Sequence, residues 1–232
     1  MCPQRLYRRW ILANGWSELA GLGGTLLLGY VGASSLTDAP SVPGTLLAAA
    51  VAILAGTLLE GVLVGYAQGR VLRAHVPALA LRRWVVATAR GAGAAWTLGM
   101  LPSTLVAVFT TDAAVASSSP PPNIEGLAQY LLAAGLGMVL GPFLGIPQSR
   151  VLRHHVPRAW RWVAANTLAW AAGMPLVFAG MDWEGPAPGP IRLVGGVAAT
   201  CLATGLVVGV IHGWWLCRFL QESAVSDRAA PG

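Results

Sequence analysis

The chain has 232 residues, 55% of them hydrophobic and only 10% charged, and its net charge of +6 comes from fifteen arginines with no lysine. A water-soluble domain carries about 25% charged residues, so these charges cannot clothe a globule of this size in water, and a soluble enzyme or binding module is excluded. The arginines sit in short clusters between apolar runs rather than on one continuous basic face, which points away from nucleic acid and leaves lipid as the solvent.

Six apolar runs follow one another, at 10–36, 43–66, 84–109, 127–147, 162–181 and 193–217. Each reaches the ~20 residues that carry a helix across ~30 Å of hydrocarbon. Nothing alternates with period two, so strands are not expected. The first run follows Arg5, Arg8 and Arg9. Tyr7-Arg8-Arg9-Trp10 has the form of a twin-arginine export signal. However, Arg82-Arg83-Trp84 and Arg161-Trp162 repeat the same element deep in the chain, so the first run is expected to be a retained span. Arg70, Arg73, Arg82 and Arg83 separate runs two and three, Arg150, Arg153, Arg158 and Arg161 separate runs four and five, and Arg218 and Arg228 follow run six. The opposite connections hold Asp38, Asp112, Glu125, Asp182 and Glu184 against Arg192 alone. By the positive-inside rule both termini are cytoplasmic, in a bacterial inner membrane. Trp10, Trp84, Trp160, Trp162, Trp214 and Trp215 fall at the inner boundary, where an interfacial aromatic belt is expected.

One block occurs twice. Residues 61–87 and 141–165 share Gly-x3-Gly-x2-Gln, then Arg-Val-Leu-Arg, then Arg-Trp-Val-x-Ala. A third, degraded copy closes run six as Gly205-x3-Gly209-x2-His212. Self-similarity of this kind sets architecture. The reading is an all-α, polytopic membrane protein with six transmembrane helices in three pseudo-repeated hairpins. The repeats span 10–68, 84–148 and, in degenerate form, 162–218, and 219–232 is left as a short cytoplasmic tail. Repeats with an even number of spans share one orientation, so a pseudo-threefold axis along the membrane normal relates them. The whole is one membrane domain.

The Gly-x3-Gly-x2-Gln, Leu-Arg and Trp-Val-x-Ala pattern resembles a group of uncharacterised bacterial multi-pass membrane proteins. The resemblance covers most of the chain through its repeats and implies a polytopic fold. It implies no activity.

Three sets of residues carry the functional reading. Gly61/Gly65, Gly141/Gly145 and Gly205/Gly209 are small-residue steps that let another helix approach closely, within the monomer or between copies. Gln68, Gln148 and His212 stand one per repeat at the inner ends of the even helices, as a helix-end clasp or as a polar ring about an opening. The basic loops, with Arg70, Arg73 and His75 in one and Arg150, Arg153, His154 and His155 in the other, set topology and suit lipid headgroups or an anion. No Cys, Asp or Glu stands near the histidine pair in sequence, so no metal site is expected.

Glu18, Glu60 and Arg90 are ionisable residues within spans, and such residues default to function. Glu60 lies eight residues before Gln68, ~12 Å by helical rise, and Arg90 six beyond Trp84, ~9 Å. Equal depth on neighbouring helices predicts a Glu60–Arg90 ion pair. Glu18 reaches the same level and Asn14 and Asn166 fall slightly below, giving a polar layer in the inner third of the bundle. No His-Glu-x-x-His or Gly-x-Ser-x-Gly motif occurs, so no enzyme and no cofactor are expected. The first expectation is a scaffold or accessory subunit that binds lipids, another membrane protein or a second copy. The alternative is a small-solute or proton-coupled transporter using the polar layer.

Overall fold

The computed structural model describes residues 4–35, 41–111, 126–184 and 189–229. Those residues are all-helical. α1 (Gln4–Ser35) is followed by α2 (Val42–Ala55), a π turn (Gly56–Glu60) and α3 (Gly61–Arg73), and the last three run on as one rod. Then come α4 (Leu81–Thr111), α5 (Leu127–Leu152), α6 (Arg161–Glu184) and α7 (Pro190–Ala229). Five rods are long and apolar enough to cross a membrane: Val42–Arg73, Leu81–Phe109, Leu127–Leu152, Arg161–Asp182 and Pro190–Glu222. α1 is long enough at 32 residues, but Glu18 and a run of glycines (Gly21, Gly23, Gly24, Gly29, Gly32) dilute its apolar character. Residues 219–229, read from sequence as a tail, continue α7. An Arg161–Glu222 ion pair of 3.0 Å ties that extension to the start of α6.

The rods close into a ring in chain order. α1 packs on the α2–α3 rod, that rod on α4, α4 on α5, α5 on α6, α6 on α7, and α7 back on α1. Glycine lets the backbones touch at three of these seams. A methyl group at Gly65 would lie 3.0 Å from the Cα of Val85, one at Gly145 2.8 Å from the Cα of Val163, and one at Gly209 2.9 Å from the Cα of Ile11. Four residues earlier, Gly61 faces Ala89, Gly141 faces Thr167 and Gly205 faces Gly15 and the Asn14 carbonyl. Each glycine pair thus packs inside the monomer, on the residue that follows a tryptophan (Trp84, Trp162 or Trp10) and on the next turn of that helix.

The start of α1, both arginine-bearing connections and residues 216–219 of α7 meet in one apolar cluster, built on Leu6, Trp10, Leu79, Trp84, Val156, Trp162, Leu216 and Phe219. The basic turns therefore share one end of the bundle. Trp10, Trp84 and Trp162 are 0% exposed in that cluster, which corrects their assignment to a lipid-facing belt. They meet inside the ring, with Trp162 5.9 Å from Trp10 and 6.1 Å from Trp84 between ring centroids. Trp160 and Trp214 do face outward, 68% and 48% exposed. The second basic connection is the shorter by two residues when counted from Arg-Val-Leu-Arg to tryptophan. It turns through Arg158 at φ 52°, among the described residues the one non-glycine with positive φ.

Candidate functional site

The site grows from the three axial tryptophans. One turn beyond each comes Asn14, Thr88 or Asn166, and each side chain donates back to its tryptophan's carbonyl: Asn14 Nδ2 to Trp10 at 2.8 Å, Thr88 Oγ1 to Trp84 at 3.0 Å, Asn166 Nδ2 to Trp162 at 2.9 Å. This holds each polar group against its own helix and aims its remaining capacity into the ring. Gln68 and Gln148 answer from the even rods. Gln68 Nε2 donates to Asn14 Oδ1 (2.8 Å), and Gln148 Nε2 donates to Thr88 Oγ1 (2.9 Å) and to Gln68 Oε1 (3.2 Å). Trp162 Nε1 donates to Gln148 Oε1 at 2.7 Å. One buried hydrogen-bonded chain therefore runs from α6 through α5 to α4, α3 and α1.

It stops at α7. His212, 2% exposed, stacks on Trp162 with centroids 4.9 Å apart. Neither of its ring nitrogens has a hydrogen-bond partner, and the same holds for Trp10 Nε1, Trp84 Nε1, Thr204 Oγ1 and Glu18 Oε2. Gln68, Gln148 and His212 come together, and with Glu18, Glu60, Thr88 and Asn166 they line a small central cavity of about 20 Å³. That is room for about one water-sized molecule.

Above this layer sit the acids. Glu18 is 1% and Glu60 5% exposed. Glu60 ends the π turn, a feature that recurs at functional sites, and its Oε2 accepts from Trp96 Nε1 at 2.8 Å. Gly56, at the other end of the turn, leaves the space the Trp96 indole fills. Gly21 of α1 brings its backbone against the Cα of Glu60, so the two acid-bearing elements touch. Glu60 also borders a second cavity of about 260 Å³ that extends away from the basic end, walled by Trp96, Met100, Trp170, Met174, Phe178 and Met181.

Arg90 is not in this group, and the predicted Glu60–Arg90 pair does not form. The buried face of α4 carries Trp84, Ala87, Thr88, Gly91, Ala92 and Ala95, and Arg90 lies exposed between those positions. At 100° per residue it stands about 200° from Thr88. Depth matched and azimuth did not. Arg90 instead lines an open recess of about 650 Å³ between α4 and α5, together with Arg82, Arg83 and Arg150. A neighbouring recess of about 330 Å³ shares Arg83 and Arg150 and adds His154 and His155. Arg70, Arg73, His75 and Arg153 line neither recess: Arg70, Arg73 and Arg153 are exposed, and half-buried His75 keeps its Nδ1 3.2 Å from the Val71 carbonyl. Partial burial and the charge of His154 hold His155 below the ordinary imidazole range.

Sequence reasoning passed over Thr88, Trp96 and the axial role of the tryptophans. The signal was there for two of them, since Trp-x3-Asn or Trp-x3-Thr opens α1, α4 and α6 alike. Nothing local marks Trp96, whose partner lies 36 residues away. The chain matches no protein-family model, no curated protein and no solved structure.

Proposed function

We propose that this protein is a six-span, three-hairpin bacterial inner-membrane transporter with both termini cytoplasmic, and that it moves a small apolar solute by way of the Glu18–Glu60 layer. The six-span reading is supported by the closed ring in chain order and by the matched glycine seams. The orientation is supported by the gathering of the arginine-bearing turns at one end.

The observation that carries the functional reading is the pair of buried carboxyls. Glu18 and Glu60 share the ring centre with no arginine lining the cavity. An ion-pair lock needs its opposite charge, and Arg90 faces the other way. Unlocked acids inside a bundle favour a substrate or proton site. The adjoining aromatic and methionine-lined chamber, with Glu60 at its border, suits a small apolar solute bearing a basic nitrogen. A scaffold or accessory-subunit role would use only the outer surface and gives these acids nothing to do.

The test is flux of a fluorescent apolar amine into proteoliposomes under a pH gradient. Wild type should transport, while Glu18→Gln and Glu60→Gln should abolish flux and keep the wild-type melting profile in detergent. Wild-type liposomes that show neither amine nor proton flux, with a membrane protein co-purifying in mild detergent, would replace this reading with the scaffold.

A further inference from the structure

The geometry points to a second site: the recess between α4 and α5 binds an anionic phospholipid, its phosphate among Arg82, Arg83, Arg90 and Arg150. Those four arginines line the recess and no acid does. None of them makes an ion pair with a described acid.

Depth decides between a lipid and a soluble anion. The α4 span runs from Leu81 to Phe109, ~43 Å of helix over ~30 Å of hydrocarbon. With the ~13 Å excess shared between the two ends of the rod, Arg90, nine residues in and ~13 Å along it, lies ~7 Å inside the hydrocarbon boundary on an exposed face. An arginine at that depth is costly unless its guanidinium meets water or an anion. A phosphodiester drawn inward supplies that anion in the bidentate geometry arginine favours. The rest of the wall is apolar, with Val86, Ala87, Pro147 and Val151, which suits an acyl chain and gives a free phosphate nothing. Arg90 has no counterpart in the other two helices that open on an axial tryptophan: six residues beyond that tryptophan come Trp16 in α1 and Leu168 in α6. Arg83 and Arg150 stand in the duplicated frame, so it is Arg90 that sets this hairpin apart.

The experiment is native mass spectrometry of the purified full-length protein from micelles containing equal phosphatidylglycerol and phosphatidylcholine. Wild type should retain phosphatidylglycerol in preference, and millimolar inorganic phosphate should not displace it. Arg90→Leu and Arg150→Leu should each lower retention about fivefold, whereas Arg8→Leu, exposed on α1 and away from the recess, should not. Arg90→Leu replaces an exposed charge in the lipid zone with an apolar side chain, so its melting temperature in neutral detergent should hold. Equal retention of the two lipids by wild type would overturn the site without reference to any variant. Unchanged retention in both arginine variants would overturn it as well, and displacement by phosphate would make it a soluble-anion site. The transport reading does not enter, since flux and lipid retention are read separately.

Discussion

The α5/α6 seam and the α7/α1 seam use the same glycine step and end with different cores. At α5/α6, Gln148 joins three side chains: it accepts from Trp162 and donates to Thr88 and Gln68. At α7/α1, His212 holds the corresponding position and bonds to nothing, and Trp10 Nε1 opposite it is also left without a partner. The backbones approach equally closely in both places. Close packing is therefore set by the glycines, and the polar chain is a separate layer that one substitution interrupts. A buried polar group without a partner costs ~1–3 kcal/mol, so the α7/α1 seam holds unspent interaction capacity, as does Trp84 Nε1 on α4.

The comparison can be broken most forcefully at the glycines. Gly141→Val places a branched side chain into the Thr167 backbone, and overpacking costs ~1–3 kcal/mol and occasionally more, with backbone unable to give way as a side chain would. The variant should fail to give a monodisperse peak in detergent, and Gly205→Val should behave alike because the seams share their packing. Gln148→Ala should come next. It removes three interhelical hydrogen bonds at ~0.6 kcal/mol each, so a thermal or denaturant melt should show a loss of ~2 kcal/mol. His212→Ala, with no hydrogen bond to lose, should cost less.

The sharpest version reverses the sign. His212→Gln should stabilise the fold by ~1 kcal/mol, because the amide can accept from Trp10 Nε1 and donate to Asn166 as its counterpart at 148 does with Trp162 and Thr88. A neutral or destabilising result would show that the two seams differ in more than one side chain. The smallest effect is expected at Arg158, whose positive φ costs ~1 kcal/mol in a non-glycine residue. Arg158→Gly should change the melt by less than that, since glycine gives back part of the gain as unfolded-state entropy, while Arg158→Val should be clearly destabilising.

Much of this was legible in the sequence. Period and spacing carried the glycine steps, the level shared by Gln68, Gln148 and His212, and the burial of Glu18, Glu60, Asn14 and Asn166, because a helix converts spacing directly into depth. Azimuth was the weak coordinate. Arg90 was placed at the right height and on the wrong side, since its direction depends on how α4 is rotated in the ring. The tryptophans failed for a related reason. A composition rule sends them to the lipid interface, yet the turn that follows each one decides that Trp10, Trp84 and Trp162 face inward while Trp160 and Trp214 do not. Trp96 meeting Glu60 across Gly56 depends on the π turn, and nothing in local composition announces a single widened turn.

The three clustered indoles at the arginine end, edge-on and tilted to one another, carry one more consequence. Chromophores this close, held at fixed angles on three separate rods, couple their electronic transitions, so the near-ultraviolet circular dichroism of the folded protein should contain a contribution that belongs to the trio and to no single ring. Any movement that parts α1, α4 and α6 at that end must weaken it, which gives the molecule a label-free optical gauge of its own closure.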